Sequence, residues 1–389
     1  MKIFFAPTLE QAWGGSELLW SQTALALAKR AHQVAVSIDF RQSEPAIIRE
    51  IEAAGGEIFR RDQPVAFPPP AALPTRALRW LNRRLRTRAS PRNANQKEVS
   101  LQAFSPDLVI INQGTCVEGL DWMELCREKG IPYATIAQAA HSYLFCNDDF
   151  SERLEPLIRR ASSSFFVSNA NREMLESFLC GPLANAELVR NPFGVARVNE
   201  IPWPDQGILR FAVVARLDIV AKGQDILLEV LAAPKWKARP VELNLYGTGY
   251  NEKGLKRRAK CLEIPVHFCG HVSEISTVWQ NNHLLLLPSR SEGLPIALVE
   301  AMHCNRPAVV TDVGDSASLI DEGVTGFVAA APTARLFDEA LEKAWAKREH
   351  WQEMGKRAGE CIRSSFPADP AGVFADRLEI LLGAGTGNS

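Results

Sequence analysis

Pro288-Ser289-Arg290-Ser291-Glu292-Gly293-Leu294-Pro295-Ile296-Ala297-Leu298-Val299-Glu300-Ala301-Met302 follows directly on the run Leu284-Leu285-Leu286-Leu287. Four leucines in a row are apolar on both faces, which is how a strand covered by helices on both sides reads. Pro295 suits a first helical turn, where its missing N–H has no partner to lose. A strand therefore ends near Leu287 and a helix begins near Pro295. The loop between them offers backbone amides and the positive end of a helix dipole, an arrangement that favours anions. Glu292 lies in that loop and Glu300 in the second turn of the helix, so both can face one cleft.

The same alternation runs outward in both directions. Strands are expected at Ile3 to Pro7, Val34 to Ile38, Leu108 to Asn112, Tyr133 to Ala137 and Ser164 to Val167. Further strands are expected at Arg210 to Val214, Glu242 to Tyr246, Val266 to Cys269, Leu284 to Leu287, Ala308 to Thr311 and Gly326 to Val328. Helical stretches lie between many of them, at Ser16 to Lys29, Gln224 to Leu231, Pro295 to His303 and Ala334 to Ala346. Repeated strand-helix units imply doubly wound α/β sheets, whose ligands sit at the carboxyl ends of the strands. So many strands exceed one such sheet. Ile201-Pro202-Trp203-Pro204-Asp205-Gln206-Gly207 reads as a linker. The expected organisation is a Rossmann-like domain over 1–198, a linker over 199–207 and a second Rossmann-like domain over 208–366 across a cleft. A last helix over 367–389 is expected to cross back to the first domain.

The 389 residues carry 44 Lys plus Arg against 45 Asp plus Glu, a formal net charge of -1. That balance argues against a general nucleic-acid binder. Eight cysteines are scattered with no Cys-x-x-Cys pair, which removes zinc-ribbon and thioredoxin-type readings and suggests small buried hydrophobes in a reducing compartment. No stretch reaches the roughly 20 apolar residues of a membrane span. The expected location is the cytoplasm.

One segment departs from this even charge. Gln63 to Lys97 holds Arg76, Arg79, Arg83, Arg84, Arg86, Arg88, Arg92 and Lys97 and no acidic residue. Leu78, Leu81 and Leu85 fall at helical spacing beside Trp80. A basic insertion near 68–97 of this kind either leans on an anionic membrane through Arg76 to Arg92, at its inner face, or is a solvated surface segment.

A second cationic feature is local. In Val213-Val214-Ala215-Arg216-Leu217-Asp218-Ile219-Val220-Ala221-Lys222-Gly223, a strand delivers Arg216 to its carboxyl end and Lys222 follows in the next turn. Two cations there suit a diphosphate, each charge-assisted hydrogen bond being worth roughly 1.5–3 kcal/mol. Asp148-Asp149, beside Asn147, reads as a solvated turn rather than a metal pair.

The order of these features carries more than any one of them. Arg216…Lys222, Tyr246-Gly247-Thr248-Gly249, Phe268-Cys269-Gly270, the Glu292…Glu300 element and Gly314…Gly323-Val324-Thr325-Gly326-Phe327-Val328 together resemble the donor domain of the retaining glycosyltransferases of family 4. Those enzymes have the GT-B architecture. Trp13-Gly14-Gly15-Ser16-Glu17 resembles the family's glycine-rich loop after the first strand. The resemblance implies a retaining transfer of a sugar from a UDP- or GDP-sugar to a polysaccharide, lipopolysaccharide or glycolipid acceptor, with no metal or other cofactor. By the same resemblance, Arg216 and Lys222 hold the diphosphate, Glu292 lies beside the transferred sugar and Glu300 accepts from the ribose hydroxyls. Gly293 and Leu294 offer amides to sugar and phosphate, His271 and Val272 border the base, and Gly14 and Gly15 let the N-terminal loop close over the phosphate.

Four departures stand out: Gln138 falls where many members carry a histidine, and with His141, three residues on, it is expected on the acceptor and sugar side; Ala215 and Asp315 replace glycines; Asn305 stands where a glycine ends the helix. Two other functions on the same fold remain, a nucleotide-sugar epimerase and a non-catalytic sugar-nucleotide binding module. A dinucleotide site is disfavoured, because the third glycine of Gly247-x-Gly249-x-x-Gly would fall at Glu252.

Overall fold

The computed structural model describes residues 1–8, 13–39, 44–61, 91–139, 147–195, 201–205 and 207–385. Thirteen strands form two sheets among the described residues. The first sheet contains β1 (Lys2–Pro7), β2 (Gln33–Ile38), β3 (Glu57–Arg60), β4 (Leu108–Gln113), β5 (Tyr133–Ala137), β6 (Ser163–Phe166) and β7 (Ala186–Leu188), in the order β3-β2-β1-β4-β5-β6-β7. The second contains β8 (Leu209–Val214), β9 (Val241–Tyr246), β10 (Val266–Gly270), β11 (Leu284–Leu287), β12 (Ala308–Thr311) and β13 (Gly326–Ala329), in the order β10-β9-β8-β11-β12-β13. Every pairing within both sheets is parallel. Strand order reverses beside β1 in one sheet and beside β8 in the other, and such reversal points are where open α/β sheets bind ligands.

Fully apolar strands lie at the centre of each sheet because helices cover both faces. Phe4, Phe5, Trp20, Trp122 and Phe165 fill the first domain, and Phe211, Trp236, Phe337 and Trp351 fill the second. Two strands escaped the sequence reading, β3 and β7. Both are short edge strands with exposed or half-buried residues, so neither shows a buried run.

The domains touch through several elements. Helix Pro370–Gly385 lies along helix Leu18–Lys29 of the first domain. Thr23 donates to the Ala371 carbonyl at 3.2 Å, Arg377 pairs with Glu187 at 2.6 Å, and Phe374 meets Phe165 edge-on at 4.9 Å. Asn305 adopts a left-handed φ of 58°, a conformation asparagine tolerates at a helix end.

One charge-based reading needs correction. Lys97, grouped with the basic insertion, belongs to the folded domain: it sits in helix Pro91–Phe104, is buried, pairs with Asp121 and stacks over Trp122. The reading of Arg76 to Arg92 as a membrane helix falls on residues whose structure lies outside, or whose side chains lie outside, the described set. Of the described cysteines, Cys116, Cys126 and Cys304 are buried, but Cys180, Cys261, Cys269 and Cys361 are exposed free thiols. Cys180, Cys261 and Cys361 sit on or just after amphipathic helices, whose outward faces accept any small residue. No helix among the described residues is long and apolar enough to cross a membrane.

Candidate active site

The loop after β8 is shaped by Asp218, which caps the short helix Ile219–Lys222 by accepting from the Val220 and Ala221 amides at 3.1 and 3.3 Å. Gly223 ends that helix at φ +64°, and a Cβ there would lie 2.1 Å from the Pro288 carbonyl oxygen. Glycine thus lets the Lys222 turn press against the loop that leaves β11. The Arg290 amide donates to the Ala221 carbonyl at 2.8 Å, and the Arg290 guanidinium grips Asp225 at 2.7 and 2.9 Å.

This stitching brings Lys222 and Glu292 together. The Lys222 ammonium donates to both carboxylate oxygens of Glu292 at 2.8 Å, and the Ser289 hydroxyl donates to Oε1 at 2.7 Å. The lysine is half-buried and the glutamate nearly enclosed. Sequence reasoning assigned these two residues to separate parts of a ligand; in the free protein they neutralise each other. Arg216 lies on the same loop, 61% exposed, with its nearest carboxylate, Asp218, 4.0 Å away. A guanidinium so lightly held is ready for an anion.

Glu300 projects from helix Ile296–His303 and is almost wholly buried. It accepts from the Gly194 amide of the first domain at 2.7 Å. Burial pushes its carboxyl up to about 7, only partly opposed by that hydrogen bond. Ile275 reaches to within 3.7 Å of the Gly194 Cβ position, so the segment after β10 borders the same place. Val272, in that segment, is half-buried against the core, while His271 is exposed.

Leu294 is buried, and Gly293 packs on the first domain: a Cβ there would stand 2.1 Å from the Gln138 carbonyl oxygen and 3.0 Å from the Asn171 amide nitrogen. Gly15 also crosses the gap, a Cβ there meeting the Ile296 side chain at 2.5 Å, whereas nothing lies within 4 Å of the Gly14 position. Gln138 ends β5, donates to Asn112 at 3.0 Å and accepts from Asn191 at 2.9 Å. His141 lies outside the described residues. Asp148 and Asp149 are exposed in the first turn of helix Asp148–Arg160. Among the described residues no three His, Cys, Asp or Glu side chains gather as a metal site would require.

Three features carried no role in the sequence. Glu17 is buried after the glycine loop, accepts from the Trp20 indole at 2.6 Å, and is pushed up to about 7 by burial. Asp315, noted only as a departure from a glycine, accepts from the Asn169 and Ala170 amides at 2.9 Å and so caps helix Asn169–Phe178 across the domain boundary. Asn171 and Asn191 are both buried, in the same neighbourhood. Only the Glu17 motif had a sequence signal, since it ends the glycine-rich run.

With this geometry in hand, comparison with known proteins places the second domain. Residues 209–347 match the family model described as Glycosyl transferases group 1. The chain is 32% identical over 110 residues to an uncharacterized glycosyltransferase of Haemophilus influenzae, covering 28% of this chain and 31% of that protein. It is 28% identical over 153 residues to a D-inositol 3-phosphate glycosyltransferase of Gordonia bronchialis, covering 35% and 33%. The chain thus spans about a third of the length of those two relatives. Over nearly its whole length it superposes on HepE of Anabaena in complex with UDP-glucose, with a TM-score of 0.71, 18% identity and coverage of 97% and 99%. The fold is GT-B, two Rossmann-like domains.

Proposed function

We propose that this protein is a nucleotide-sugar-dependent glycosyltransferase that works with retention at the anomeric carbon. The observation that carries the reading is the meeting of Lys222 with Glu292 beside Arg216, at the strand-order reversal of the domain that matches group 1 glycosyltransferases. In the proposed reaction an acceptor hydroxyl oxygen bonds to the anomeric carbon as the bond to the diphosphate oxygen breaks. The electron pair leaves with the nucleotide, and the hydroxyl proton passes to the released phosphate or to solvent. Negative charge grows on the leaving group, so cations aimed at it stabilise the transition state more than the ground state. Arg216 and Lys222 supply that charge. Lys222 exchanges one of its Glu292 bonds for a phosphate oxygen, which frees Glu292 toward the sugar.

Glu300 holds the ribose through the carboxylate oxygen that Gly194 does not use, while Val272 and His271 border the base and Gly14 the phosphate. The reaction needs no metal, because the cations are side chains. HepE, solved with UDP-glucose, supports a UDP-sugar donor, with a GDP-sugar as the alternative. The acceptor is a polysaccharide, lipopolysaccharide or glycolipid met on the first domain, at the inner face of the membrane where Arg76 to Arg92 contact anionic lipid.

Nucleotide release from a panel of UDP- and GDP-sugars, with and without acceptor extract, tests the reading. Release that depends on acceptor is expected, with the product keeping the donor's anomeric configuration by NMR. A protein that neither binds nor turns over any sugar nucleotide ends it. A new sugar nucleotide formed without acceptor identifies an epimerase instead.

A further inference from the structure

Buried amides in this fold nearly always have partners, and one without a partner costs stability unless something else supplies it. Two carboxamides near the domain boundary break that rule. Asn171 is 1% exposed and its side-chain nitrogen has no hydrogen-bond partner; Asn191 is 5% exposed and its side-chain oxygen has none. They are not scattered. The Asn171 nitrogen lies 3.0 Å from where a Cβ of Gly293 would be, and the Gln138 carbonyl oxygen lies 2.1 Å from the same point. Asn191 donates to the Gln138 side chain at 2.9 Å, and Gln138 donates in turn to Asn112 at 3.0 Å. A row of neutral amides therefore faces the loop that carries Glu292, with one free donor and one free acceptor.

We propose that Asn171 and Asn191, with Gln138 between them, read the hydroxyls of the transferred sugar, and that this sugar is neutral. The inference rests on the reading of the protein as a glycosyltransferase. Carboxamides present one donor and one acceptor each, which matches vicinal hydroxyls that both donate and accept. In the proposed complex Arg216 and Lys222 are taken up by the diphosphate, not by the sugar. In the free protein Lys222 is bound to Glu292, and Arg190 lies 3.9 Å from Asp315 and stacks 4.8 Å over the Phe366 ring. A sugar carboxylate would meet the Glu292 carboxylate, a like-charge approach that disfavours an anionic sugar. Glycine at 293 lets the loop approach this row, since a Cβ there would collide with the Gln138 carbonyl oxygen at 2.1 Å.

The test compares binding of UDP, GDP, neutral donors (UDP-glucose, UDP-galactose, GDP-mannose) and UDP-glucuronate by calorimetry. Wild type is expected to bind one neutral donor at least tenfold more tightly than the bare nucleotide, and UDP-glucuronate at least tenfold less tightly than that donor. Asn171→Leu is expected to keep nucleotide affinity within twofold while the gain from the sugar falls tenfold or more. An undiminished gain overturns the inference, as it would if a bound water rather than the sugar satisfied Asn171. Tightest binding of UDP-glucuronate overturns it too. If Asn171→Leu loses the bare nucleotide as well, Asn191→Ser is scored by the same criteria. Failure of wild type to bind any of the nucleotide sugars is a different result, because it removes the glycosyltransferase reading itself.

Discussion

The two domains repeat one strand order and carry opposite chemistry at the matching edge. At the β8 and β11 ends of the second domain stand ionisable groups: Arg216, Lys222, Glu292 and Glu300. At the β4 and β5 ends of the first stand neutral amides, Asn112 and Gln138, with Asn171 and Asn191 beside them. Glu17 is a buried acid of the first domain, and it accepts from an indole. On the proposed reading, the difference divides a ligand that is anionic at one end and polyhydroxylated at the other. Charge is strong but costly to bury, so it is concentrated where ions pair; amides are weaker but need no counter-ion.

Removing a charge from the second domain should produce the largest effect. Lys222→Ala is expected to lower sugar-transfer turnover by roughly 10²- to 10³-fold, the range for losing one transition-state donor, while Glu292 keeps its Ser289 bond and the fold survives. Steady-state nucleotide release beside a thermal melt checks both halves of that statement, and a loss below tenfold would place the cationic work elsewhere.

Next comes Glu300. Its carboxyl titrates near 7 when folded against an ordinary 4.5, so the folded state holds the proton more tightly. The native state therefore loses stability relative to the unfolded chain as pH rises from about 4.5 to about 7, by up to about 3 kcal/mol from that shift. Glu300→Gln removes this dependence. The variant should melt above wild type at pH 8, with the gap closing toward pH 5, yet bind donor more weakly at pH 8. Equal melting differences at both pH values would show that Glu300 is ionised throughout.

The junction between the two chemistries gives a smaller effect. Asp315→Gly removes the carboxylate from the start of helix Asn169–Phe178 and should cost about 1–2 kcal/mol, the worth of a helix cap, read as a lower melting temperature. Gly14→Ala should barely move the melting temperature, since nothing lies within 4 Å of the new methyl, but should weaken binding of a sugar nucleotide. If Gly14→Ala binds donor as wild type does, the glycine loop does not approach the phosphate.

The charged half was far more legible in the sequence than the amide half. Leu284 to Leu287 announces a central strand because it is buried on both faces, and Glu292 and Glu300 sit at fixed spacing around a proline that starts a helix. β3 and β7 carry no such pattern, being short edges whose residues face water. The pairing of Lys222 with Glu292 was hidden because the two are 70 positions apart and the loops meet through Gly223 against Pro288 and through Arg290. Asn171 and Asn191 gave no signal at all: isolated asparagines have no period and no motif, and their significance lies in missing partners, which only coordinates reveal. Lys97 misled for the opposite reason, since a count of charges does not distinguish a solvated lysine from one buried against Asp121 and an indole.

The chain passes between the domains twice, once between β7 and β8 and again before helix Pro370–Gly385, which returns to lie on Leu18–Lys29. Two bodies strapped at two points swing about the line joining the straps, as covers turn on a spine, and resist twisting or sliding past each other. Any opening of the mouth between them would thus keep the lateral register of the opposing edges, with Gly293 facing Gln138 and Glu300 facing Gly194 as they do here.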